Sequence, residues 1–523
     1  VNVFRPAAFV VVLTALLSAP ARADVRLPRI FTNDMMLQRD QPIPVWGWAD
    51  PGETLTVTLA GNTAHATADA EGRWSVALPP LKAGENLDLE VRGKNAITLK
   101  NLIVGDIWLC SGQSNMEWQV AACDGADDIK VADLPKIRRI KFNHVTGPDA
   151  VEDAATATPW QVCSPQTAGG FTGCGFYFAR EIVAKTGVPI GLLDDNWGGT
   201  AIEPWITPEG VASVPALAAV AAERQKARAA WRQQLPKALA EHEAWIGRTR
   251  AALANDGPIP AVPPLPADPG ANGWFSISNA MIRPVQRLPI KGVLWYQGES
   301  NGGEGESYFH KMQALVAGWR QAWNRPEMPF YYVQLASFQQ PTDNPAGGDG
   351  WAKLREAQLR ALSIPHTGMV VAIDTVPLAV ANDIHPKNKY DLGLRLARWA
   401  LQRDYGKADI VPSGPLYTGM RAEGGKIRLS FDHVGAGLMV GTKSGREPAV
   451  EERAGKLRRF AIAGADQKWV WADAVIDGST VVVSSPEVAE PVAVRYAFTM
   501  NPDGANLYNR EGLPASPFRT DAW

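Results

Sequence analysis

The string Ser111-Gly-Gln-Ser-Asn-Met-Glu-Trp118 follows a short apolar run at 107–110, so Ser114 falls just past the end of an expected strand. A serine hydroxyl is a weak nucleophile until a neighbouring base takes its proton, and the chain must supply that base elsewhere. The candidate is His385, in Asn382-Asp-Ile-His-Pro-Lys-Asn388, after an expected strand at 369–373 and before an expected helix. Asp383 stands two residues earlier, where a short loop can aim its carboxylate at the imidazole. There it holds the tautomer and stabilises the imidazolium formed when Ser114 attacks. If Ser114 opens a helix, free N–H groups and the helix dipole suit a developing oxyanion.

Two more segments offer oxyanion donors. Asp195-Asn-Trp-Gly-Gly-Thr200 follows an expected strand at 189–194, and glycines let a backbone N–H approach a substrate closely. Trp295-Tyr-Gln-Gly-Glu-Ser-Asn301 follows the apolar run that opens at 291, and Gln or Asn amides can donate to an oxyanion. Each alone reads equally well as a capped turn. Four polar loops at strand ends, three of them Gly-marked, do not.

The elements that position these loops follow from hydrophobic pattern. From residue 105, short apolar runs at 107–110, 137–142, 189–194, 291–296, 330–335 and 369–373 alternate with helical patterns at 176–185, 308–323, 352–362 and 390–405. That alternation predicts an α/β fold with a parallel sheet covered on both faces, its site at the strands' carboxyl ends. Residues 24–103 instead alternate with period two between turn signals, as in 55–59, 74–78 and 87–91, and read as a small β-sandwich. Residues 104–409 form the expected hydrolase domain, and 410–523 return to β patterning. Within the middle domain, about 208–270 reads as an insertion. Its Ala-rich helical part breaks near Pro236 and is followed by a Pro-rich stretch that cannot be regular structure.

Composition narrows the classes. With 46% hydrophobic and 20% charged residues the chain can build ordinary cores, and a net charge of −2 gives no case for nucleic acid or an anionic membrane. Arg5, the apolar run 7–17 and Ala21-Arg22-Ala23 resemble a secretory leader at 1–23, with cleavage before Asp24 and a periplasmic or extracellular product. Cys110, Cys123, Cys163 and Cys174 suit an oxidising compartment, and Cys163–Cys174 is the preferred disulfide. The cysteine and histidine spacings match no zinc site, and no cofactor or metal is expected. Nineteen Trp are compatible with packing or with stacking on sugar faces.

Taken together, Gly112-Gln-Ser-Asn-Met116, Asn196-Trp-Gly-Gly-Thr200 with Glu203 and Trp205, Trp295-Tyr-Gln-Gly-Glu-Ser-Asn301 and Asp383-Ile-His-Pro-Lys-Asn388 resemble the signature blocks of the sialate O-acetylesterase family. The resemblance covers essentially all of the chain past residue 23. It implies an SGNH-hydrolase, flavodoxin-like three-layer α/β/α sheet and a serine esterase acting on acetylated mono-, oligo- or polysaccharides. The glycans it leaves open are acetylated sialic acid, xylan, xyloglucan and pectin. By the same resemblance Ser114 is the nucleophile and His385 the base, and the oxyanion donors are the N–H of Ser114, that of Gly199 (or Gly198) and the amide of Gln297 (or Asn301). Asn115, Trp197, Glu203, Trp205, Glu299 and Asn301 are then expected near substrate. The wider superfamily keeps its acid three residues before the histidine, where this chain has Asn382. Asp383 is therefore one position displaced, with Glu299 or a main-chain carbonyl as other ways to orient His385. Two rival readings are a non-catalytic sugar-binding protein, and a glycosidase using Glu203 and Glu299 as paired carboxylates. Arg283 and Arg355 are candidate partners for a sialic carboxylate.

Overall fold

A computed structural model describes residues 24–523, so the expected leader at 1–23 lies outside the described residues. One strand organises the chain. β1, Ala96–Gly112, is 17 residues long. Its first half alternates polar and apolar residues and pairs antiparallel with Gly84–Arg92 of the amino-terminal β region. Its second half is continuously buried and lies between two parallel strands. The change from alternating to unbroken apolar sequence is the change from one covered face to two. Residue 103, the expected end of the first domain, thus falls inside a single strand.

The other strands of the middle region are β2 (Leu134–Lys141), β3 (Ile190–Asp194), β4 (Gly292–Tyr296), β5 (Phe330–Val333) and β6 (Thr367–Val370). They run parallel in the order β6-β5-β4-β1-β3-β2, with Gln161–Cys163 added antiparallel at the edge. Each overlaps an apolar run read from sequence. Ile107, Leu109, Val293 and Phe330 face one apolar core, while Trp108, Cys110, Leu294 and Tyr331 face another. The protein is thus α/β, with one large mixed sheet and several further β-sheets. The order also brings the carboxyl ends of β3, β1 and β4 side by side, where the chain changes direction across the sheet.

The helices that matter to the site are α1 (Ser114–Glu117), α2 (Gly173–Thr186), α3 (Ala218–Ala254), α4 (Ser307–Ala322), α5 (Gly350–Arg360) and α6 (Lys389–Asp404). Helices α2 and α6 pack so closely that a Cβ on Gly393 would stand 2.5 Å from that of Tyr177. Only glycine permits this approach. Asn388 caps α6 by accepting the Asp391 N–H, which ends the His385 loop at a defined point.

Two expectations need correction. Helix α3 does not break at Pro236; it runs unbroken for 37 residues. Trp231, Leu235, Ala238, His242, Trp245, Thr249 and Ala252 recur at three- and four-residue spacing as its less exposed stripe, and the Pro-rich segment returns beside it. Trp231 Nε1 donates to the Pro266 carbonyl at 3.0 Å and Trp245 Nε1 to that of Pro260 at 2.8 Å. A proline-rich strand has few N–H groups of its own, and its carbonyls accept from these indoles instead. Secondly, all four cysteines are free thiols, and the expected Cys163–Cys174 bridge is absent. Cys163 sits in the edge strand beside the Ala132 carbonyl, and Cys174 points at the Asn115 carbonyl from the first turn of α2. Burial pushes the Cys174 thiol up to about 11 and those of Cys123 and Cys163 up to about 12.

Candidate active site

The site is built from the ends of β1, β3, β4 and the loop after β6. At the end of β1, Gly112 takes φ +131°, and a Cβ there would lie 2.2 Å from the Tyr296 carbonyl oxygen. Glycine lets the chain turn beneath the end of β4, and Gln113 N–H then donates to the same carbonyl at 3.0 Å. Ser114 opens α1, which is a single turn. The dipole expected from sequence therefore shrinks to a local effect. The Ser114 N–H has no acceptor among the described residues.

His385 Nε2 lies 2.9 Å from Ser114 Oγ across a sequence separation of 271 residues. Asp383 Oδ1 accepts the His385 backbone N–H at 2.9 Å and lies 3.4 Å from its Nδ1. The Trp118 ring stacks on the imidazole at 4.8 Å and 16°. Burial lowers the His385 pKa below its ordinary value, the nearby Lys389 charge lowers it further, and Asp383 opposes both. An imidazole kept neutral in this way is chemically able to accept a proton.

Beneath Ser114 and His385 lies a buried polar knot. Asn115 Nδ2 donates to the Ile384 carbonyl at 3.0 Å and to Glu299 Oε1 at 2.5 Å, while its Oδ1 accepts from Lys389 Nζ at 2.5 Å. Asn115, expected at substrate, instead ties the serine's helix to the histidine's loop. Glu299 is raised above the usual carboxylate range by burial, with its hydrogen bonds only partly opposing.

Several other expected contacts also turn inward. The Gln297 amide donates to Asn301 Oδ1 at 2.7 Å and to Gln113 Oε1 and the Thr200 carbonyl at 3.2 Å each. Asn301 donates to Glu203 and to Glu304, at 2.8 Å for the latter. Neither residue has an amide N–H left for an oxyanion. Trp205 is fully buried and donates to Thr200 Oγ1 at 2.9 Å. Burial would raise the Glu203 carboxyl, but Lys311 and Asn301 outweigh it and hold it low. The paired-carboxylate reading thus meets two acids committed to other partners. Arg283 pairs with Glu209. Among the described residues, Arg355 donates only to the main-chain carbonyls of Leu335, Ala336, Thr499 and Met500.

Around Ser114 the structure adds residues that were not singled out. Glu117 bonds to Gly198 N–H, and His144 Nε2 lies 2.8 Å from the same carboxylate. Trp197, half-buried, stacks on His144 at 4.8 Å and 7°. Two signals existed: Glu117 stands three residues from Ser114 at a helix start, and His144 stands just past the end of β2. A cavity of about 390 Å³ lies at the seam with the carboxyl-terminal region, lined by Asp374, Lys443, Arg458 and Tyr508; neither Ser114 nor His385 lines it. Among the described residues, no group of three His, Cys, Asp or Glu side chains is placed to hold a metal.

A family described as carbohydrate esterase, sialic acid-specific acetylesterase matches residues 104–233 and 275–402. The unmatched gap holds the outer part of α3 and the Pro-rich segment. Sialate O-acetylesterases of mouse and human are 26% and 27% identical, each over 97% of this chain and 96% and 95% of their own. The crystal structure of a novel carbohydrate acetylesterase from Xanthomonas citri superposes with a TM-score of 0.79 at 36% identity, over 95% of this chain and all of that one. The class so defined is the carbohydrate O-acetylesterases. Within it, the chain belongs to the sialic acid-specific acetylesterase family.

Proposed function

We propose that this chain removes O-acetyl groups from carbohydrates through a covalent acetyl-serine at Ser114. The observation that carries the reading is the 2.9 Å contact between Ser114 Oγ and His385 Nε2. Ser114 Oγ attacks the acetyl carbonyl carbon while His385 Nε2 takes its proton. The tetrahedral intermediate collapses, the sugar oxygen departs, and His385 returns the proton to it. Water then attacks the acetyl-serine by the same route in reverse and releases acetate. Asp383 orients the imidazole and balances its transient charge. The unpaired N–H groups of Ser114 and Gly199 are suited to the oxyanion.

The three-layer SGNH arrangement is the fold reading that goes with this chemistry, supported by the parallel strand order and a core on each sheet face. Acetylated sialic acid and plant hemicelluloses such as xylan or xyloglucan are the substrates to test. Trp118, stacked on His385, and Trp197, stacked on His144, are half-buried aromatic residues of the kind sugars stack on. Acetate released from a panel of acetylated glycans should identify the substrate, and Ser114→Ala should lower that release at least ~10³-fold. A Ser114→Ala variant with wild-type turnover would refute the mechanism.

A further inference from the structure

Glu117 is the last residue of α1, one turn from Ser114. Its Oε2 accepts the Gly198 N–H at 2.7 Å, and its Oε1 lies 2.8 Å from His144 Nε2 and 3.5 Å from Lys141 Nζ. Gly198 is the glycine packed against the serine: a Cβ there would stand 3.4 Å from that of Ser114 and 3.1 Å from Glu117 Oε2. Its neighbour is placed quite differently. Gly199 takes φ +75°, is exposed, and its N–H has no acceptor among the described residues.

The rest of the loop is gripped by the same cluster. Lys141 Nζ donates to Asn196 Oδ1 at 2.5 Å. His144 stacks flat on Trp197, whose N–H donates to the Gly112 carbonyl at 3.0 Å. Thr200 Oγ1 closes the turn on the Trp197 carbonyl at 2.8 Å. A bare carboxylate this close to a forming oxyanion would oppose it. Here Lys141 partly neutralises the charge, and a charge-assisted bond to an amide is among the firmer ways to hold a loop.

From this geometry we infer that Glu117 is a positioning residue for ester hydrolysis. By occupying the Gly198 N–H it sets the loop so that Gly199, rather than Gly198, offers its N–H to the oxyanion. The inference rests on Ser114 being the nucleophile, and the test separates the two. Steady-state kinetics on p-nitrophenyl acetate compare Glu117→Ala, Glu117→Asp and Glu117→Gln, each checked for a native melting transition. Losing an oxyanion donor costs roughly 10²–10³ in kcat. The Ala and Asp variants, which cannot reach Gly198, should lose about a hundredfold in kcat with KM within about threefold. Gln keeps an acceptor oxygen at the same reach and should stay within about tenfold of wild type. Should the Ala variant fail to fold, the Asp and Gln pair decides alone. Wild-type kcat in Glu117→Asp, or a loss carried wholly by KM, would overturn the inference. Ser114→Ala serves as control in the same assay: its continued activity would sink the nucleophile itself, whereas an inactive Ser114→Ala beside fully active Glu117 variants would sink only the positioning role.

Discussion

At the scale of single residues, the proposed mechanism requires the His385 imidazole to be neutral when Ser114 attacks. Burial and Lys389 hold the His385 pKa below its ordinary 6.5, so the neutral imidazole persists to lower pH and activity should fall only as pH drops through that lowered pKa. Asp383 pulls the other way, since its negative charge favours the imidazolium. Asp383→Asn should therefore move the acid limb of the kcat/KM profile to lower pH, a shift read directly from initial rates across a pH series. The same carboxylate oxygen serves both the backbone N–H and Nδ1 of His385, at 2.9 and 3.4 Å. With Trp118 also fixing the ring, Asp383→Ala should cost about 10–10²-fold in kcat, less than the loss expected of His385→Ala. An Asp383→Ala defect as large as that of His385→Ala would show that the carboxylate does more than orient.

At the scale of elements, the central strands were legible because strands covered on both faces read as unbroken apolar runs. The loops between them were legible by their glycines, and one of these carries a sharp requirement. Gly112→Ala places a methyl 2.2 Å from the Tyr296 carbonyl at φ +131°, and should destabilise the fold by about 3 kcal/mol or more, measured by urea unfolding. Helix α3 departs from its sequence pattern for a physical reason. A proline inside a helix costs about 3 kcal/mol relative to alanine, which argues for a break. The indole donors and the Pro-rich segment along the inner stripe offset that cost here. Pro236→Ala should then lengthen the survival of α3 to limited proteolysis without changing turnover.

At the scale of the whole molecule, the carboxyl-terminal β region is fastened to the central sheet by Arg355. It is completely buried, and burial lowers its pKa to about 10. Its guanidinium donates to carbonyls on both sides of the seam, between 2.6 and 2.9 Å. Asp349 adds a second tie by accepting the Met500 N–H at 2.6 Å. Arg355→Met removes four hydrogen bonds and leaves the Leu335 and Thr499 carbonyls without a donor among the described residues, while Trp351 Nε1 still serves Ala336 and the Phe338 N–H still serves Met500; it should cost about 2–5 kcal/mol, with the carboxyl-terminal region cleaved first by protease. Nothing in the sequence marked Arg355 as structural rather than as an anion-binding residue. The α/β class, the strand ends and the proximity of Ser114 to His385 follow from sequence, because local pattern dictates where strands stop and loops begin. Which polar groups remain free at those loops was decided only in three dimensions. Gln297, Asn301, Asn115 and Trp205 look identical in sequence whether they face substrate or core. Some of their partners lie a few residues away on the same loop, but those of Asn115, and Gln113, Thr200 and Glu203 for the two amides at 297 and 301, come from other loops 97 to 274 residues away. A buried polar group must be paired wherever the packing delivers a partner.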